Sequence, residues 1–203
     1  GIWPEGGWLY RTVKRVEKWL MQEADGFVVL TEKARGILFP ESADTGRDSH
    51  DRPVEVIPCC VDGAAFAVND ETRMAARENI GAAARYVIVY TGSFGGWYLS
   101  DEMFDLFAVA READPQVFIM VLTQRDAADV HDRLMRLGFG KDDVFVGSVS
   151  PGEMPRYLGA ADVAVSFIKP CYSKQASSPT KNAEYLAAGL PMIVNSGVGD
   201  VDE

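Results

Sequence analysis

The sequence predicts an α/β domain, a parallel sheet with helices on both faces. Three observations lead there. Short apolar runs alternate with helical-period segments from about residue 70 onward, glycine and proline punctuate the boundaries, and 47% of the 203 residues are apolar, enough for a conventional core. At the start of the chain, Leu9, Val13, Val16 and Leu20 recur at helical spacing with Arg11, Lys14, Arg15 and Lys18 between them. This predicts an amphipathic helix with its apolar stripe in a core and its basic face in water. Gly26 to Leu30 reads as a short strand, with Thr31 capping a helix over Glu32 to Leu38. The Asp-, Ser-, Gly- and Pro-rich stretch from Pro40 to Arg52 reads as an exposed loop, Val54 to Ile57 as a strand, and Pro58 to Phe66 as a connector.

Beyond the connector the alternation becomes regular. Helices are expected over Glu71 to Asn79, Ser100 to Glu112 and Asp126 to Leu137, and strands over Tyr86 to Thr91, Val117 to Leu122 and Asp143 to Val146. Pro151 stands where a helix running to Leu158 tolerates proline. Asp162 to Phe167 and Met192 to Asn195 read as the last strands. Between them a helix opens at Pro179 and ends at Gly189, with Pro191 just beyond as a second stop signal. Strands separated by helices of this length form a parallel, Rossmann-like sheet. The chain divides in this reading into residues 1–61, running into the connector, and residues 62–203, a Rossmann-like domain.

Charge removes one broad class of function. A formal charge of −10 and a pI near 4.7 argue against a protein that grips nucleic acid over a wide face. Any anionic ligand must meet a local positive pocket. Cys59, Cys60 and Cys171 have no metal-ligand spacing, and adjacent cysteines rarely bridge, so a reducing, cytoplasmic setting is expected. No run of 18 apolar residues occurs, and the opening Gly1-Ile2-Trp3-Pro4 lacks an initiating Met, which leads us to expect a piece of a longer protein. His50 and His131, the two histidines, fall in a polar loop and a polar helix and read as surface residues.

Ligands of such sheets bind beyond the carboxyl ends of the strands, which directs attention to two loops. Thr91 to Tyr98 holds Gly92, Gly95 and Gly96, a turn that lets backbone amides approach a phosphate, although it matches neither the dinucleotide fingerprint nor the Walker loop. Glycines at such a turn also serve tight geometry alone. Trp97 and Tyr98 behind it read either as packing anchors or as an exposed stacking surface. The second loop, Lys169 to Lys181, is the positive pocket this acidic chain needs: between Asp162 and Glu184 there is no acidic residue, and three lysines occur, Lys169, Lys174 and Lys181. Ser178 is placed to cap the helix with Pro179 at its first position, leaving the amides of Thr180 and Lys181 open to an anion. An anion at a helix amino terminus gains about 0.3–1 kcal/mol, up to ~2 when partly buried, and a charged hydrogen bond from Lys181 adds roughly 1.5–3. Glu184 lies one turn deeper, with a carboxylate suited to two ribose hydroxyls. The plain alternative is a Lys–Glu helix pair with no ligand.

The segment from Ser178 to Pro191, Ser-Pro-Thr-Lys-Asn-Ala-Glu-Tyr-Leu-Ala-Ala-Gly-Leu-Pro, resembles the donor-binding helix of glycosyltransferase family 4. Ala24 to Thr31 is similar to the last Rossmann unit of that family's amino-terminal domain, and Val56 to Asp62 to its interdomain link, with Cys59 and Cys60 where the family has Asn-Gly. The resemblance implies one half of a GT-B fold and a retaining transfer of sugar from a nucleotide-diphosphate sugar to a glycan or lipid-linked acceptor. It implies that Lys181, Ser177, Ser178 and Thr180 hold the diphosphate, with Gly92, Ser93 and Gly95 near it from the other side. Glu184 would hold the ribose, and Val146, Gly147 and Ser148 the nucleobase through their backbone. The donor is a substrate, so no cofactor and no metal are expected. The acceptor would be met by the domain this chain lacks, with peripheral membrane contact at the inner face in the full-length protein. In one respect the sequence departs from the family: of its two glutamates with seven residues between them, the first is Ala176 here. The catalytic acid is therefore unassigned, with Lys174 and Tyr172 as candidates for handling the sugar. A catalytically degenerate nucleotide- or partner-binding domain and a GT-B sugar-nucleotide epimerase are the alternatives.

Overall fold

The computed structural model describes residues 4–202. Two units divide the chain between Ile57 and Pro58. In the first, β1 (Phe27–Val29) and β2 (Val54–Val56) pair in parallel, flanked by α1 (Trp8–Glu23) and α2 (Glu32–Leu38). Thr31 caps α2 as its position predicts, its hydroxyl accepting from the Ala34 amide at 3.0 Å. Arg52 ties the unit together. Its guanidinium donates to the Met21 and Ala24 carbonyls at the end of α1, pairs with Asp48 at 2.6 Å and lies over the Phe27 ring.

The expectation for α1 needs correction. Leu9, Val13, Val16 and Leu20 are exposed rather than buried, as are Trp8 and Trp19. Of α1, only Met21 packs against the small core of Val29, Ala34, Phe39 and Val54. The physical reason is area: two strands of three residues give a 16-residue helix too little sheet to cover its apolar stripe.

The second unit is built on a five-stranded, all-parallel sheet, as predicted: β3 (Val87–Thr91), β4 (Phe118–Leu122), β5 (Val144–Gly147), β6 (Val163–Ser166) and β7 (Met192–Val194), in the order β5-β4-β3-β6-β7. Every residue of β3, β4 and β6 is buried, which is why these strands read as continuous apolar runs instead of alternating ones. The pleat sends Ile88 and Tyr90 to one face, against Met103, Phe104 and Phe107 of α4 (Ser100–Ala113) and Val130 and Leu134 of α5 (Ala127–Arg136). Val87 and Val89 face the other side, against Leu158 of α6 (Met154–Gly159) and Tyr185 of α7 (Thr180–Ala187). A side chain taken out of water this fully contributes roughly 1.5–3 kcal/mol relative to exposure. From β3 the chain builds outward through β4 to β5, then returns to add β6 and β7 on the other side, so the switch in strand order lies between β3 and β6.

At the amino ends of these strands, Asp162 gathers Arg73 and Arg77 of α3 (Asp70–Asn79) and the Val87 amide. This places Asp162 just outside β6, joining helix to sheet. Two helix starts differ from expectation. Pro151 does not open α6, because Glu153 folds back on Ser150, accepting from its amide and hydroxyl, and the helix begins at Met154. Nor does Ser178 cap α7: the helix begins at Thr180 with Pro179 as its flanking residue, and the Ser178 hydroxyl accepts from the Cys59 amide at 3.0 Å. Among the described residues no helix is long and apolar enough to cross a membrane.

Candidate functional site

A cavity of about 370 Å³ opens at the switch point. Its walls come from Thr91 at the end of β3 and the loop after it (Gly92, Ser93, Tyr98), Leu122 at the end of β4 and the loop after it (Thr123, Gln124), Val149 and Met154, and the start of α7 (Pro179, Thr180, Lys181). This is where open parallel sheets bind ligands, and the size suits a small molecule.

Tyr185 fixes α7 against the sheet. Its fully buried hydroxyl accepts from the Thr91 amide at 2.8 Å, lies 3.0 Å from the Thr91 hydroxyl and contacts the Val165 carbonyl. With that anchor in place, Lys181 one turn earlier projects into the cavity. Its ammonium lies 4.5 Å from the centre of the Tyr90 ring and 4.2 Å from that of Tyr98. Burial holds this amine down to about 7 from the usual 10.5, partly offset by the charge of Glu184. Glu184 is half-buried, and burial raises its carboxyl above the ordinary range, with Lys181 opposing. The two are not in ion-pair contact, so the plain Lys–Glu helix pair is not what forms among the described residues. Gly92 adopts a left-handed φ of +128°, and a Cβ there would stand 3.2 Å from the Lys181 nitrogen. The Gly92 amide itself donates to the Leu122 carbonyl. At the start of α7, the amides of Thr180 and Lys181 have no intrahelical acceptor, while that of Asn182 bonds the Pro179 carbonyl.

No protein-family model matches the chain, and no curated protein matches it. Solved structures do. Anabaena HepE, in complex with UDP and glucose, superposes with a TM-score of 0.68 at 17% identity, over 95% of this chain and 50% of HepE. WaaG, a glycosyltransferase involved in lipopolysaccharide biosynthesis, gives 0.62 at 18% identity, over 98% of this chain and 54% of its own. The C-terminal domain of the group 1 glycosyl transferase LpcC from Francisella tularensis gives 0.53 at 19%, over 68% of this chain and 71% of its own. The chain has one half of a GT-B fold. It spans about half the length of HepE and of WaaG.

Within this GT-B half, the structure brings some of the predicted site residues together and separates others. Lys181, Thr180, Gly92 and Ser93 share the cavity. Gly95 does not line it; its amide donates to the Ser100 hydroxyl, and it borders a second hollow with Phe94, Phe104 and Asp129. Ser177 turns its amide to the Lys174 carbonyl, and Ser178 is engaged with Cys59. Glu184 stands a turn back from the opening. Val146, Gly147 and Ser148 run along the end of β5 and adjoin the cavity through the Gly147 carbonyl, which accepts from Thr123, but Val149 is the residue that forms the wall. Lys174 and Tyr172 lie apart from the cavity, in the helical turn Tyr172–Ala176, with the Lys174 ammonium over the half-exposed Trp97 ring. The Cys171 thiol is pulled below its usual range by a hydrogen bond with Ser173.

Sequence reasoning passed over Tyr90, Thr123, Gln124, Val149 and Met154. The loop after β4 was accessible to the same rule that picked out the loop after β3. Tyr90 was not, because a tyrosine inside a wholly apolar strand carries the signature of core.

Proposed function

We propose that this chain supplies the donor site of a retaining glycosyltransferase that uses a nucleotide-diphosphate sugar. The diphosphate would lie between Lys181, the first amides of α7 and the Gly92–Ser93 turn. The nucleobase would rest on Val149 and Met154 beside the Val146–Ser148 backbone, and the ribose hydroxyls would reach Glu184. The observation that carries this reading is the Lys181 ammonium, which has no contacting carboxylate among the described residues, set over a cavity at the switch point of an acidic chain. Solved proteins of the same fold support it, among them HepE with UDP and glucose. Donor charge would be met by Lys181 and the helix terminus, with no metal. The acceptor, a glycan or lipid-linked sugar, would be held by the rest of the protein, with polysaccharide assembly at the cytoplasmic face of a membrane as the setting.

Isothermal titration of the chain with UDP and GDP tests the donor site. Binding of one of them below millimolar concentration is expected, and silence from both would overturn the assignment. One observation favours a second reading, a binding module without transfer: Ala176 stands where the family has its first glutamate. Lys181→Ala in the full-length protein separates the two, since loss of sugar transfer supports the enzyme and unchanged activity in cells supports the module.

A further inference from the structure

We propose that the diphosphate of a nucleotide-sugar enters this cavity together with a proton, which Lys181 takes up inside a cage formed by Tyr90 and Tyr98. The proposal rests on the donor-site reading and extends it to how the site is switched by pH. The cage is a matter of geometry. Two aromatic rings from different elements, β3 and the loop behind it, face the same ammonium at 4.5 and 4.2 Å. The Tyr90 hydroxyl is 3.5 Å from the nitrogen, and it is already committed as a donor to the Ser93 carbonyl. Gly92 closes another side so tightly that a methyl group there would meet the nitrogen at 3.2 Å. An amine walled in this way has exchanged water for ring faces, which attract a cation but solvate it less well than water does.

The ionisable groups around the amine offer little negative charge at contact. Tyr90 on β3 and Tyr185 on α7 have their phenols pushed up by burial, so both stay neutral through the physiological range. Tyr98 adds a third phenol from the loop. Among the described residues Glu184, on the same helix as Lys181, is the carboxylate that favours its charge, and burial works against its own ionisation. The loop after β4 contributes Thr123 and Gln124, and the far wall Val149 and Met154, none of them ionisable. The free amine is therefore divided between its two protonation states near pH 7. A diphosphate supplies the counter-charge that the cage lacks and draws the equilibrium to the ammonium. Tyr98 acts here as a positioning residue: it shapes the environment of Lys181, which in turn meets the anion.

A nucleotide-sugar is the right probe, because a diphosphate esterified at both ends does not itself titrate near neutrality. Calorimetry with UDP-glucose and GDP-mannose at pH 6 to 9, each pH in two buffers of different ionisation enthalpy, counts the protons. The expected uptake is roughly half a proton at pH 7 and roughly nine-tenths at pH 8, with affinity falling about tenfold per pH unit above that. Tyr98→Phe keeps the ring and should keep the uptake. Tyr98→Leu admits water and should bring uptake at pH 7 close to zero. A ligand-free measurement stands beside these: the lysine 13Cε shifts followed against pH, with Lys181→Arg identifying the resonance, should show one inflection near 7. Binding that is independent of pH and releases or takes up no proton overturns this proposal and leaves the donor site standing. An inflection near 10.5 for Lys181 does the same without any ligand. Uptake unchanged in Tyr98→Leu removes the cage from the account. If neither nucleotide-sugar binds, while the Lys181 inflection still lies near 7, it is the donor-site reading that fails, and proton-coupled entry of this ligand fails with it.

Discussion

Two clusters of charge occupy opposite ends of the same sheet, and they are built on opposite terms. At the amino ends, Asp162 has both oxygens engaged, by Arg73 at 2.6 Å and Arg77 at 3.1 Å, and takes the Val87 amide as well. At the carboxyl ends, Lys181 meets aromatic faces instead of a carboxylate. Charge that is fully answered within the chain fastens α3 to β3 and β6. Charge left without a contacting counter-ion has a cost that a ligand can relieve, and it is found where the strands open into a cavity.

Removing Asp162 should have the largest effect. Asp162→Ala leaves two guanidiniums facing carbonyls and a strand amide without its acceptor, and we expect a loss of roughly 2–4 kcal/mol in urea or thermal unfolding. A change below half a kcal/mol would mean that this cluster is not structural, and the contrast would collapse. Lys181→Ala should do the reverse, leaving the fold intact while weakening UDP binding by about 1.5–3 kcal/mol in a titration.

A subtler expectation concerns Lys181 and stability. Its folded value, about 7, lies below the usual 10.5. Below pH 7 both folded and unfolded chains carry the proton, and the folded state bears the whole burial cost. Between the two values the folded chain sheds the proton and the cost is relieved, so stability rises with pH through that window. Lys181→Met should therefore be more stable than the parent at pH 6, by roughly 1–2 kcal/mol, with the advantage fading toward pH 10. An advantage that grows with pH would contradict the sign.

The smallest effect should be local to the first unit. Asp48 is held down to about 2, chiefly by its hydrogen bond with the Arg52 side chain. A carboxylate lowered in this way stabilises above its unfolded value and loses that contribution as pH falls through the folded one. Asp48→Asn should lower the melting temperature at pH 7, and the difference should shrink as pH falls below about 4 and vanish only below about 2.

The same contrast separates what the residues announced from what they did not. The parallel sheet was readable because β3, β4 and β6 are continuous apolar runs with helical segments between them. Lys181 and Glu184 were readable because they belong to one helix, where spacing along the chain is spacing in space. The cage was not, since it needs Tyr98 to return from a loop and Tyr90 to stand one strand away from α7, a proximity that only packing creates. Ser178 was misread for a related reason: a hydroxyl beside a helix start reads as a cap, and in this chain an amide 119 residues earlier claims it. The stripe on α1 carried the correct period, but period does not reveal how much sheet is present to receive it.

Gly92 shows how narrow the tolerances of such a site are. Its amide is committed to Leu122, so the residue matters less for what its backbone offers an anion than for the volume it leaves empty. That volume is about one methyl group, bounded by the Lys181 nitrogen at 3.2 Å and the Tyr90 hydroxyl at 3.3 Å. The smallest possible enlargement of a side chain, with no change in charge, polarity or hydrogen bonding, would press the amine and the Tyr90 hydroxyl back by a few tenths of an ångström and would strain a backbone held at φ +128°.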